Sequence, residues 1–167
     1  SRKKYKRRWQ WDSHPMTEAI IMSVKNILKD HGGQLITCRP EDTIDTVATI
    51  LASKKIGALP VRDSDRMLVG IISERDIVRG MAEKGSDSVN LRVRDLMTAD
   101  VATCQPEDSI KDVMQIMSRR HIRHLPVLKD GQLLDMLSQR DVMEYRLEAT
   151  ELEANVLRDR VRVMGST

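Results

Sequence analysis

The sequence predicts an α/β fold: two tandem β-α-β-β-α repeats packed as a pseudo-twofold pair, followed by a long C-terminal helix. Three observations predict it. Ile36-Thr37-Cys38-Arg39-Pro40-Glu41-Asp42-Thr43-Ile44 returns as Ala102-Thr103-Cys104-Gln105-Pro106-Glu107-Asp108-Ser109-Ile110. Leu59-Pro60-Val61 returns as Leu125-Pro126-Val127, and Ser73-Glu74-Arg75-Asp76 as Ser138-Gln139-Arg140-Asp141. The spacing is kept, with Pro40 to Pro106 and Pro60 to Pro126 each 66 positions apart and Asp76 to Asp141 65 apart, one residue having been lost. Repeated landmarks at a fixed period mean structural units that bury their faces against one another, and two units form a closed pair rather than a solenoid.

The elements follow in order. Residues 1–15 form a polar, basic arm carrying Trp9, Trp11 and Pro15 and are expected to be disordered, with Met16 a candidate start. Repeat one spans 16–84. Thr17–Lys29 is apolar enough for a helix or helix-plus-turn, and Asp30-His31-Gly32-Gly33 breaks it. Leu35–Cys38 reads as a short strand. Pro40-Glu41-Asp42-Thr43 starts a helix capped by Asp42 or Thr43. Ile44, Val47, Ala48 and Leu51 then recur at i, i+3, i+4 and i+7, one face of a helix.

Strands are expected at Ala58–Val61 and Leu68–Ile72 around an Asp63-Ser64-Asp65 turn, then a helix near Asp76–Glu83. Residues 85–92 are a linker. Repeat two, 93–147, repeats the pattern. Ile110, Val113, Met114 and Met117 make the helical face, and Ser109 with Asp112 approximates a capping box. Leu125–Leu128 and Leu133–Leu137 are strands joined at Lys129-Asp130-Gly131. The final helix continues into residues 148–167. Val142, Tyr145, Ala149, Leu152 and Val156 form a narrow apolar seam along it, which calls for a partner, either this domain or a second subunit.

Composition narrows the class. At 167 residues with 40% apolar content the chain supports one compact domain or two closely packed subdomains. Aromatic residues are only 2% and Phe is absent, so the core consists of Ile, Val, Leu, Ala and the ten Met. The net charge is +3, yet residues 1–8 alone hold six Lys or Arg, and the rest of the chain is net acidic. No apolar run is long enough to span a bilayer and no signal-peptide pattern opens the chain. Cys38 and Cys104 occupy equivalent repeat positions, a buried-thiol pattern without the grouped spacing of a zinc site. A reducing, cytoplasmic location and no metal are expected.

The repeats resemble a pair of cystathionine-β-synthase (CBS) domains, or Bateman module. The motifs that carry the likeness are Leu59-Pro60-Val61, Gly70-Ile71-Ile72-Ser73-Glu74-Arg75-Asp76 and Val93-Arg94-Asp95-Leu96-Met97-Thr98. The resemblance covers about residues 20–147 and implies two sheets packed face to face. It also implies two clefts for adenine nucleotides, with AMP foremost and ADP, ATP, NAD(H) or S-adenosylmethionine as other candidates. Dimerisation and an energy-sensing regulatory role with a protein partner are implied too, without catalysis.

Several residues then acquire expected roles. Asp76 and Asp141 each follow a Ser by three positions at a strand-to-helix junction, where a carboxylate can accept both hydroxyls of a ribose. Ser73 and Ser138 can donate to ribose or phosphate beside a helix N-terminus suited to an anion. The same residue types equally serve as helix caps. Arg75 and Arg140 add charge at these junctions. By the family pattern Arg123 and His124 reach phosphates, although a basic helix end explains such residues as well. Ala58, in repeat one, stands at the position of His124, so the two clefts should differ. Ile36, Thr37, Ala102 and Thr103 are placed around the adenine, with Thr98, Pro60 and Pro126 completing the slot. Asp135 stands where repeat one has Gly70, which narrows the second cleft or repels phosphate.

Two other classes compete. For an enzyme, the sequence has no Gly-rich phosphate loop, metal cluster or nucleophile beside a base. For nucleic acid or an anionic membrane, the feature is Arg2-Lys3-Lys4-Tyr5-Lys6-Arg7-Arg8-Trp9, since basic residues interleaved with aromatics hold phosphates and stack bases. A solvated terminal arm explains the same run and is preferred. A dimeric scaffold without nucleotide is the remaining alternative.

Overall fold

The computed structural model describes residues 22–31 and 34–165. The basic arm, Met16 and the first part of the expected 17–29 helix lie outside the described residues. The helix that is described, α1, spans Val24–Asp30.

The two repeats are built alike. In repeat one, α2 (Ile44–Lys54) starts at Thr43, whose Oγ1 accepts the Thr46 N–H, and it buries Ile44, Val47 and Leu51. In repeat two, α5 (Ile110–Arg120) starts at Ser109, whose hydroxyl accepts the Asp112 N–H, and it buries Ile110, Val113 and Met117. Of the capping box expected there, the hydroxyl half is the one that forms. Both helices end on a left-handed residue, Lys55 at φ 54° and His121 at φ 53°.

Each repeat then forms an antiparallel hairpin. β1 (Ala58–Arg62) pairs with β2 (Leu68–Ser73), matching Ala58 to Ser73 and Val61 to Gly70. β3 (His124–Lys129) pairs with β4 (Gln132–Ser138), matching His124 to Ser138 and Val127 to Asp135. The hairpin β3–β4 turns through Asp130 and Gly131, both at positive φ, the geometry of a tight two-residue turn.

The strands expected to open each repeat reduce to single parallel bridges, Cys38 with Val61 and Cys104 with Val127. The reason is local. The next amides, of Arg39 and Gln105, donate to the Asp42 and Asp108 carboxylates at 2.8 Å, so the chain leaves the sheet for the helix cap after one pair.

α3 (Glu74–Lys84) is capped by Ser73. The expected linker is ordered: Gly85–Asn90 forms a 3-10 helix that buries Ser88. α4 (Val93–Leu96) follows. α6 runs unbroken over Gln139–Met164, so the last helix of repeat two and the C-terminal tail are one element. Among the described residues no helix is long and apolar enough to cross a membrane.

Two apolar cores result, one per repeat, and each is completed by the segment that opens the other repeat. Val24 and Ile27 of α1 are buried with Cys104, Ile110, Val113, Leu125, Leu137 and Val142 of repeat two. Val93 and Leu96 of α4 are buried with the core of repeat one. Backbone bonds fasten the exchange: Val24 N–H donates to Asp108 O and Ile110 N–H to Met22 O, while Val93 N–H donates to Asp42 O and Ile44 N–H to Leu91 O, all at 2.9 Å. Burying a side chain such as Ile27 is worth about 1.5–3 kcal/mol, so the repeat-two core holds α1 in place.

The predicted seam of α6 divides. Val142 is buried and Tyr145 is half-buried against the chain's own core, Ala149 is half-buried, and Leu152 and Val156 are exposed.

Candidate functional site

Two strand-to-helix junctions carry the repeated Ser-x-x-Asp. At the first, the Asp76 carboxylate accepts from Ser73 N–H at 2.8 Å and Ser73 Oγ at 2.9 Å through Oδ2. Its Oδ1 accepts from Arg79 Nη2 at 3.0 Å. Asp76 is one of two buried polar residues among the described residues. At the second, Asp141 Oδ2 accepts from Ser138 N–H at 2.8 Å and from Ser138 Oγ. The capping role is therefore realised at both junctions. Each ionised carboxylate can accept more bonds than its cap uses, so capping leaves room for a further donor.

The sheet register assembles the surroundings. Glu74 N–H donates to Gly57 O at 3.0 Å, and Gln139 N–H donates to Arg123 O at 2.7 Å. These equivalent bonds bring Ala58, Ser73, Arg75 and Asp76 together in one repeat, and Arg123, His124, Ser138 and Asp141 in the other. The groups meet across the pseudo-twofold: a Cβ at Gly57 would lie 3.0 Å from His124 Cε1, with Glu74 Oε2 at 3.8 Å. Arg75 Nη1 donates to His121 O at 3.4 Å, a second link between the repeats.

His124 lies among charged groups of both repeats. Burial holds its pKa below the ordinary value and the Arg123 charge adds to this, while Asp141 and Glu74 oppose it. Without an anion at hand the neutral ring is favoured.

The remaining expected residues are more dispersed. Arg140 Nε pairs with Glu144 Oε1 at 3.0 Å on its own exposed helix face. Thr37 Oγ1 accepts from Arg62 Nε at 3.2 Å and Nη2 at 3.0 Å, on a cavity of about 560 Å³ that Arg39 and Arg66 also line. Ile36, Ala102 and Thr103 are half-buried. Thr98 exchanges both backbone bonds with Ile71 at 2.9 Å, its residue exposed. Pro60 and Pro126 are buried and their carbonyls accept the amides of Cys38 and Cys104.

Gly70 and Asp135 mark the asymmetry. A Cβ at Gly70 would meet Met97 Sδ at 2.6 Å and Thr98 O at 3.1 Å, so the backbone approach there requires glycine. In repeat two the Asp135 carboxylate instead faces His31 Nδ1 at 3.2 Å, and His31 Nε2 lies 3.2 Å from Asp141 Oδ2. Burial alone would lower the His31 pKa, but the Asp141 and Asp135 carboxylates together raise it above 6.5. His31, Glu74 and Arg79 escaped the sequence reading. Arg79 was detectable from its i, i+3 spacing to Asp76. Nothing in the sequence near His31 points to Asp141, 110 positions away.

This architecture, two intertwined repeats with paired Ser-x-x-Asp junctions, defines a class. The CBS domain family model matches residues 24–83 and 93–148, and the chain belongs to that family. The fold is similar to a CBS-domain containing protein of Agrobacterium tumefaciens, with 35% identity, a TM-score of 0.72, and coverage of 75% of this chain and 99% of that one. It is similar to CBSX2 in complex with AMP (25% identity, TM-score 0.65, 77% and 98% covered). It is also similar to the CBS domain pair of protein MJ0100 in complex with 5′-methylthioadenosine and S-adenosyl-L-methionine (28% identity, TM-score 0.67, 78% and 98% covered). The chain spans less than half the length of several curated relatives it matches.

Proposed function

We propose that this chain is a ligand-sensing regulatory module that binds an adenosine nucleotide, AMP foremost, at the junctions between its two repeats and performs no catalysis. The observation that carries the reading is the duplicated Ser-x-x-Asp junction, with Asp76 and Asp141 each anchored over a helix N-terminus by the preceding Ser. Asp76 and Asp141 take the ribose diol, Ser73 and Ser138 assist, and Arg123 with His124 meets the phosphate of the second cleft. The solved relatives that hold AMP, or methylthioadenosine and S-adenosylmethionine, support the same ligand class. Ligand binding acts on a partner only by favouring one conformation over another.

The module works as a homodimer in a reducing, cytoplasmic setting, with the exposed apolar side chains of α6, Leu152 and Val156 among them, as the contact. A thermal-shift panel of AMP, ADP, ATP, NAD, NADH and S-adenosylmethionine tests the reading, because a ligand bound to the native state raises the melting temperature. A rise with one or more of them supports a sensor and ranks the ligands. No rise with any of them overturns it in favour of a dimeric scaffold.

A further inference from the structure

We propose that His31, at the end of α1, is a built-in occupant of the second cleft that must leave Asp141 before an adenosine ligand binds there. The inference rests on the ribose role assigned to Asp141 above.

The geometry defines the protonation state. Both ring nitrogens of His31 face carboxylate oxygens, Nδ1 to Asp135 Oδ2 and Nε2 to Asp141 Oδ2, each at 3.2 Å. A neutral imidazole has one N–H donor and the imidazolium has two, so only the protonated ring satisfies both carboxylates. The charged groups facing it are Asp135 from β4 and Asp141 from α6; His124 of β3 also feels the Asp141 charge. The raised pKa of His31 agrees with this arrangement.

The comparison between repeats explains why the second cleft has such a device. In repeat one the cation on the ribose carboxylate is Arg79, three residues along the same helix as Asp76. The equivalent position in repeat two is Glu144, which binds Arg140 instead. His31 therefore supplies from a distant segment the positive charge that repeat one holds in place. A guanidinium in general keeps its charge, whereas an imidazole can gain or lose a proton, and the two carboxylates raise the His31 pKa above its ordinary value. The Gly70-to-Asp135 exchange gives His31 its second anchor. The first cleft is thus fixed in character, and the second is gated by protons and by the position of α1.

The test is calorimetry with adenosine, which lacks the titrating phosphate of AMP, on the full chain and on His31→Ala at about pH 6 and about pH 8, with the two clefts resolved. Wild type should bind adenosine at the second cleft more weakly at the lower pH. His31→Ala should bind roughly tenfold or more tightly than wild type at the lower pH, the scale of a lost charge-assisted hydrogen bond, and should lose the pH dependence. The first cleft should not change. Equal second-cleft affinity in both proteins at both pH values overturns the gate and leaves nucleotide binding intact. Absence of adenosine and AMP binding in every protein overturns the nucleotide reading, and the gate with it. A parallel NMR titration of the His31 ring needs no ligand. Its pKa should fall in Asp141→Asn, and an ordinary value that ignores this substitution overturns the His31–Asp141 contact itself.

Discussion

His124 of repeat two packs against Gly57 of repeat one, so close that a Cβ at position 57 would stand 3.0 Å from its Cε1 and 3.3 Å from its Nε2. The repeats therefore differ where they touch here: the position of Gly57-Ala58 in one repeat is filled by Arg123-His124 in the other.

The two histidines of the second cleft should respond to pH with opposite signs. The pKa of His31 is raised in the folded state, so its contribution to stability is present in full below the unfolded value and is lost as pH rises through the folded value. The pKa of His124 is lowered, so stability held above the unfolded value is lost as pH falls. Melting temperatures of His31→Ala and His124→Ala, each subtracted from wild type across about pH 5 to 9, should slope in opposite directions.

Ile27→Ala should destabilise repeat two although Ile27 lies in the opening segment of repeat one. Ile27 is buried in the repeat-two core. The expected loss is about 2–5 kcal/mol, read from urea unfolding. Amide exchange in α5 and β3 should accelerate before that in α2, which separates this outcome from a general loss of stability.

Gly70→Ala should cost about 1–3 kcal/mol in the same assay, because the added methyl meets Met97 Sδ and the Thr98 carbonyl. Met97→Ala in the same chain should recover part of that loss, leaving the cost of the Thr98 backbone approach.

Asp141→Ala should weaken adenosine binding at the second cleft, and calorimetry with both clefts resolved reads the effect. Unchanged second-cleft affinity would sink the ribose assignment. Asp76→Ala should also cost about 1–3 kcal/mol of stability, since the Ser73 amide and hydroxyl and Arg79 lose their acceptor.

Cys38 and Cys104 should react slowly with a thiol reagent in the native protein and quickly in denaturant. Burial pushes both thiols up to about 12, with Asp42 and Asp108 respectively adding to the shift, so little thiolate is present near neutrality.

Much of this protein was legible in the chain. The duplicated Leu-Pro-Val and Ser-x-x-Asp landmarks, the helical spacing of Ile44, Val47 and Leu51, and the Ser and Thr caps are local patterns, and local hydrogen bonding and side-chain periodicity produce them wherever they occur. The paired junctions at Asp76 and Asp141 were found for the same reason. The opening strands were overread because apolar character at 35–38 does not reveal that Asp42 takes the next amide.

What only the tertiary structure decided is which segment completes which core. The exchange of α1 and α4 between repeats, the seating of His124 on Gly57 and the placement of His31 between Asp135 and Asp141 all join residues far apart in sequence. Such contacts depend on how buried surfaces fit once the repeats close on each other, and no periodicity within a segment encodes that fit.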